Sequence, residues 1–207
     1  MSKQAKVLND KDIKIMKAVI NDNRYAVRNM TMFLLALNCG LRAKEIASIK
    51  VKDVLNADHK INENTVLKKE QTKMGQANRI FFNHSVQKQL KAYFDEHSHL
   101  KDQSESSLFI TKNGKGFSAQ TVINKFSDIF KKANIDGASS HSMRRTFATQ
   151  LNENATSVFT IQKLMRHKNI ATTQLYVNVT DTQLARAMLE AQYGKGCIVM
   201  FRDAPNQ

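Results

Sequence analysis

The sequence predicts a mainly α-helical chain with one small antiparallel β-sheet, an α+β architecture. Apolar residues recur at helical spacing through most of the 207 residues. The sole proline, Pro205, lies at the far end, so long helices run unobstructed. Strand-favouring residues gather mainly between Asn64 and Phe82, on either side of a polar, glycine-bearing stretch.

Asn9 to Ile20 reads as an amphipathic helix, with Asp10 as candidate N-cap and Ile13, Met16 and Ile20 on one face. Asn29 to Asn38 is almost continuously apolar, which predicts a buried helix ended at Gly40. A further helix follows from Ala43 to Ile49. Thr65, Val66, Ile80, Phe81 and Phe82 suit two strands, joined by a hairpin turn over Thr72 to Gln76. Ser85 caps the next predicted helix, whose Val86, Leu90, Tyr93 and Phe94 point inward. Ser107 to Thr111 reads as one more short strand before a turn over Lys112 to Gly116. Ser118 caps a helix with Val122, Phe126, Ile129 and Phe130 inward. Four helices then complete the reading: Ser140–Glu153, Ser157–Arg166, Ala171–Val177 and Thr180–Ala191, the last opening on a capping box.

Length and a 42% hydrophobic content are enough for one substantial core or two small ones, so length leaves one or two domains open; with nothing in the interior reading as a linker, residues 1–207 are expected to form a single domain. Residues 1–8 and 194–207 read as loose or partner-docking tails. The apolar run Cys197 to Phe201 either packs on its own domain or docks on a neighbour. The balance of 32 Lys+Arg against 18 Asp+Glu gives a formal charge of +14, which points to a polyanionic partner, above all nucleic acid. No charged-then-apolar leader opens the chain and no apolar stretch approaches a membrane span, so a cytoplasmic, membrane-free protein is expected. Cys39 and Cys197 lack metal-ligand spacing; they read as reduced structural thiols, with no metal and no cofactor expected.

The chemistry sits in three separated segments. Gly40, Leu41, Arg42 and Glu45 form the first; Arg42 and Glu45 alone would be an ordinary i, i+3 ion pair. Arg42 nevertheless follows a glycine at a helix mouth beside apolar neighbours, which favours a rigid guanidinium oriented by Glu45. In the second segment His141 and Arg144 share a helix face, with the positive end of the helix dipole at His141. His167 and Tyr176 make the third. Arginine forks clamp phosphate oxygens, imidazoles handle protons near neutral pH, and a tyrosine hydroxyl can act as covalent nucleophile. Lys73, in the predicted hairpin turn, can reach across a groove to protonate a leaving oxygen.

Together these boxes resemble the tyrosine recombinase (phage integrase) family from about Leu8 to Glu190. The first box matches its Gly-Leu-Arg-x-x-Glu segment, Thr72 and Lys73 with Arg79 its β-hairpin lysine, and His141 with Arg144 its second box. Leu164 to His167 and Thr172 to Tyr176 match its last. Arg145 stands where the family often has His, outside the catalytic set. Most members carry an N-terminal core-binding domain that completes a clamp on DNA. This chain shows none, and so resembles the short, fimbrial-switch-type recombinases or a fragment.

The resemblance implies a tyrosine recombinase catalytic-domain fold and site-specific cleavage and rejoining of double-stranded DNA through a 3′-phosphotyrosine. The catalytic set would be Arg42, Lys73, His141, Arg144, His167 and Tyr176, supported by Glu45. Lys50, Lys52, Lys68, Lys69, Lys112, Lys115, Lys125, Arg145 and Lys168 would follow the DNA backbone. A homo-tetrameric synapse and an accessory DNA-bending or core-binding protein are the expected partners. Alternatives in view are a type IB topoisomerase-like relaxing enzyme, a catalytically silent DNA-binding regulator on the same scaffold, and a basic RNA-binding domain.

Overall fold

A computed structural model of the chain describes residues 5–72, 77–154 and 156–175, together with 184, 185 and 188. The elements in order are α1 (Asp10–Asn21), α2 (Ala26–Asn38), α3 (Ala43–Ser48), α4 (Val51–Val54), β1 (Asn64–Leu67), β2 (Asn78–Phe81), α5 (His84–Glu96), α6 (Ala119–Lys132), α7 (Ser142–Glu153), α8 (Val158–Met165) and α9 (Ile170–Gln174). Short 3-10 turns cover Lys69–Gln71 and Ser98–Leu100. The mainly helical architecture with a small antiparallel sheet is thus observed. The predicted helix over residues 180–191 and the run Cys197 to Phe201 fall almost wholly outside the described residues.

The caps explain where the helices begin. The Asn9 side chain accepts the Asp12 N–H at 2.8 Å, while Asp12 accepts the Asn9 N–H at 3.2 Å. This reciprocal box sets the cap of α1 at Asn9 rather than Asp10. Asn83 accepts the Val86 N–H and caps α5, two residues before the expected Ser85. Ser118 caps α6 as expected.

Helix α2 is the centre of the molecule. It packs against α1, α5 and α7, and every residue from Thr31 to Leu37 is buried. Around it Met16, Ile20, Leu90, Phe94, Phe126 and Phe130 close a single large core. Tyr93 lies inside with its hydroxyl donating to the Leu108 carbonyl at 2.6 Å, the partner a buried phenol needs. Arg28 is buried too, its guanidinium 4.2 Å from the Tyr25 ring centre and 4.9 Å from that of Phe117.

The sheet is the hairpin β1–β2, in register Asn64 to Phe81 through Leu67 to Asn78. Leu67 and Ile80 face the core, whereas Val66 and Phe81 are exposed. Ser107 to Thr111 is not a strand but carries isolated bridges, Lys50 to Ser107 and Ile110 to Gly116. Each flanking partner departs after one pairing, so no ladder can propagate.

Residues 5–8, grouped by the sequence with a loose tail, are strapped onto α7 and the turn before it. The Lys6 N–H donates to the Gly137 carbonyl at 3.0 Å and the Leu8 N–H to Thr146 Oγ1 at 2.8 Å, and Leu8 itself is buried. No helix among the described residues is long and apolar enough to cross a membrane.

Candidate active site

A glycine turn organises the site. Gly40, just past α2, has φ of +59°, and a Cβ there would sit 2.5 Å from the Phe147 ring of α7. Both the dihedral and the close approach therefore require glycine. The turn brings the Gly40 carbonyl to a point where two guanidinium groups meet it. Arg144, on α7, donates from Nη1 to that oxygen and from Nη2 to the Met165 carbonyl at the end of α8. Arg166 donates from Nη2 to the same Gly40 oxygen at 2.7 Å. Two residues beyond Gly40, Arg42 holds the N-cap position of α3.

Beneath these groups lies a fully buried carboxylate. Glu45 Oε1 accepts Arg42 Nη1 at 2.9 Å, and Oε2 accepts the Arg42 backbone N–H at 2.9 Å and Arg166 Nη2 at 3.1 Å. Burial pushes the Glu45 carboxyl up, but Arg166, the Arg42 N–H, Arg144 and the Arg42 side chain together hold it below the ordinary value. Glu45 is thus a buried anion bonded to both the backbone N–H and the guanidinium of Arg42. With a buried carboxylate hydrogen-bonded on both oxygens and a half-buried guanidinium, the Arg42–Glu45 pair is not the exposed ion pair of marginal worth.

His167 follows Arg166 at the end of α8. Its Nδ1 lies 2.9 Å from the hydroxyl of Thr173, a buried residue of α9. Burial, then the positive charges of Arg144, Arg42 and Arg166, push the imidazole down to about 4. At neutral pH it is uncharged, and its Nδ1 shares a hydrogen bond with the Thr173 hydroxyl. His141 occupies the N-cap position of α7, exposed, with Arg144 three residues on. Arg42, Glu45, Arg144 and His167, from three distant segments, are therefore brought to one place.

Lys73 and Tyr176 lie outside the described residues. Their described neighbours are fixed. Thr72 is buried, and its carbonyl accepts Lys44 Nζ from α3 at 3.1 Å. Ser48 of α3 donates to the Gln71 carbonyl at 2.9 Å. The approach to Lys73 is thus pinned to the helix that Arg42 caps. Leu175, the residue before Tyr176, closes α9 and is exposed.

Of the predicted backbone-following residues, Lys68, Lys69, Lys112, Lys115 and Lys168 are exposed, and Lys125 is half-buried. Lys50 pairs with Glu105 at 2.9 Å, and Lys52 pairs with the same carboxylate. Arg145 donates to the Ala5 carbonyl at 2.6 Å, part of the strap on residues 5–8. Among the described residues no group of three His, Cys, Asp or Glu side chains is placed to hold a metal ion.

Arg166 is a site residue to which sequence reasoning gives no role, placing it at the end of a helix and within the Leu164 to His167 box. It is the C-cap of α8, in the left-handed conformation at φ 55°, ψ 45°, where glycine or asparagine is ordinary. An arginine at a predicted helix C-cap, directly before a candidate catalytic histidine, was the available signal.

Residues 6–183 match the model of the phage integrase family. The chain is 28% identical over 177 residues to the tyrosine recombinase XerC of Vibrio cholerae, covering 84% of this chain and 54% of that protein. It is 31% identical over 189 residues to the tyrosine recombinase XerA of Saccharolobus solfataricus, covering 91% and 57%. Its fold is similar to that in a crystal structure of the XerH site-specific recombinase bound to difH substrate, with a TM-score of 0.69 at 18% identity, covering 92% of this chain and 55% of that one. The chain spans about half the length of the curated relatives it matches.

Proposed function

The chain belongs to the phage integrase family, and we propose that it breaks and rejoins double-stranded DNA at a specific site through a covalent tyrosine intermediate. One observation carries this reading: Arg42, Arg144 and His167 converge around the Gly40 turn over a buried Glu45, leaving positive charge to meet an anion. Relatives named as tyrosine recombinases, and a XerH structure bound to its DNA substrate, support it.

In the first step the Tyr176 hydroxyl oxygen attacks the scissile phosphorus. A bond forms from phosphorus to the tyrosine oxygen, and the bond to the 5′-oxygen breaks. An unperturbed phenol titrates near 10, so its proton must be taken as attack proceeds. His141, exposed at the mouth of α7, accepts or holds that proton. The departing 5′-oxygen takes a proton from Lys73 and leaves as a 5′-hydroxyl. Arg42 and Arg144 stabilise the crowded anionic phosphorane, each contributing on the order of 3 kcal/mol as fixed donors. The neutral His167 hydrogen-bonds a non-bridging oxygen. A second strand's 5′-hydroxyl then attacks the phosphotyrosine and regenerates Tyr176, conserving the phosphodiester energy. Two subunits on each crossover site and four in the synapse complete the scheme, with the exposed lysines following the backbone. Affinity would then fall steeply with salt.

DNA recovered bound to the chain in cells, rebuilt as a nicked duplex that traps the cleaved product, tests this. Wild-type protein gives an adduct that persists on a denaturing gel; Tyr176→Phe binds the duplex but gives none. An adduct persisting in the Phe variant would refute the nucleophile. Relaxation of plasmids lacking any bound segment would instead favour a topoisomerase.

A further inference from the structure

Arg166 combines three properties that do not ordinarily coincide. Its side chain is 4% exposed, with its outer nitrogens turned onto the protein's own groups. It stands in the left-handed conformation, which costs an L-residue with a Cβ and suits glycine. Yet its Nη2 reaches both Glu45 Oε2 at 3.1 Å and the Gly40 carbonyl at 2.7 Å. If α8 needed only a terminator here, glycine would serve better.

The charges suggest what the arginine supplies. Glu45 is shared between Arg42 on one oxygen and Arg166 on the other. Were Arg166 absent, the carboxylate would draw on Arg42 and Arg144 alone, and those two guanidinium groups would present less net charge outward. With Arg166 in place, three guanidinium groups face one carboxylate. We propose that Arg166 is a positioning residue: it offsets Glu45 from inside, so that Arg42 and Arg144 keep their positive field for a phosphodiester, and it ties the end of α8 to the Gly40 turn. This rests on the phosphate-clamp reading above. Arg166 acts through Glu45 and the Gly40 carbonyl and touches no reacting atom.

The test compares Arg166→Gly, which removes the charge and suits the backbone, with Arg166→Lys, which keeps the charge. Two measurements are made on the full chain: the titration of the His167 side chain by NMR without DNA, and cleavage of the nicked duplex. In the glycine variant the His167 titration moves to higher pH, because one nearby positive charge is gone. Cleavage falls on the order of tenfold, and the lysine variant restores much of both. A glycine variant that titrates and cleaves like wild type would overturn the proposal and leave Arg166 a helix terminator. Should the glycine variant fail to fold, Arg166→Gln keeps a donor without the charge and reads the same titration, with the same two outcomes. If the titration shifts but wild type itself never cleaves, the DNA reading falls while the electrostatic role of Arg166 stands.

Discussion

Two regions of this molecule are built differently. The body from α1 to α6 closes around α2, with Phe33, Leu35, Ile46, Phe94 and Phe126 essentially solvent-free. Beyond it, α8 rests on a small separate cluster in which Ala148, Ile161 and Met165 are the buried members, flanked by Phe147 and Leu151. Helix α7 belongs to both, since Met143 enters the large core and Ala148 the small one. Phe159 and Leu175, on and beside the light region, stay 65% and 59% exposed. Arg42 and Glu45 are thus anchored in the heavy body, while His167 is carried by the light one. Polar ties compensate for the meagre packing: Arg144 to Met165, Arg166 to Gly40, and His167 to Thr173. A phosphate clamp needs rigid donors. Segments with little apolar burial open locally at smaller cost than a core does.

The sharpest way to break this comparison is to empty each core in turn. Phe33→Ala should lower global stability by about 3–5 kcal/mol, read as a shift in the denaturant midpoint. Ile161→Ala should cost about 2 kcal/mol or more locally, with amide exchange quickened in α8 and α9 and unchanged in α2. Equal acceleration in both regions would show that they unfold as one unit.

Gly40→Ala attacks the joint between them. The positive φ and the Phe147 ring both resist a methyl group, so a cost of about 2 kcal/mol is expected. Cleavage should fall with it, because the carbonyl that holds Arg144 and Arg166 must move. An alanine variant with wild-type melting and cleavage would remove the turn from the account.

A smaller effect comes from pH. His167 titrates at about 4 in the folded chain against an ordinary 6.5. Between those values the unfolded chain binds the proton first, so stability declines as pH falls through that window. Glu45, also held below its ordinary value, adds a loss in the same direction at lower pH. Denaturant titrations at several pH values should show His167→Asn with a shallower decline than wild type; identical slopes would mean that His167 is not shielded as described.

Much of this was legible beforehand, for local reasons. The helical spacing of Val122, Phe126, Ile129 and Phe130 and the Ser118 cap are decided within a few residues, and they hold. The Arg42–Glu45 contact is local too, an i, i+3 pair just after a glycine. Contacts between distant segments were not legible. Arg166 meets Gly40 only after the chain has folded back. Arg145 donates to the Ala5 carbonyl for the same reason. Ser107 to Thr111 has strand-like residues, but whether a ladder forms depends on how far its partners run alongside.

The most direct test is single-turnover cleavage of the nicked duplex by Arg144→Ala, with DNA binding measured on the same protein. A clamp on the scissile phosphate predicts a fall of roughly 100-fold or more, with binding largely retained. Cleavage at the wild-type rate would contradict it.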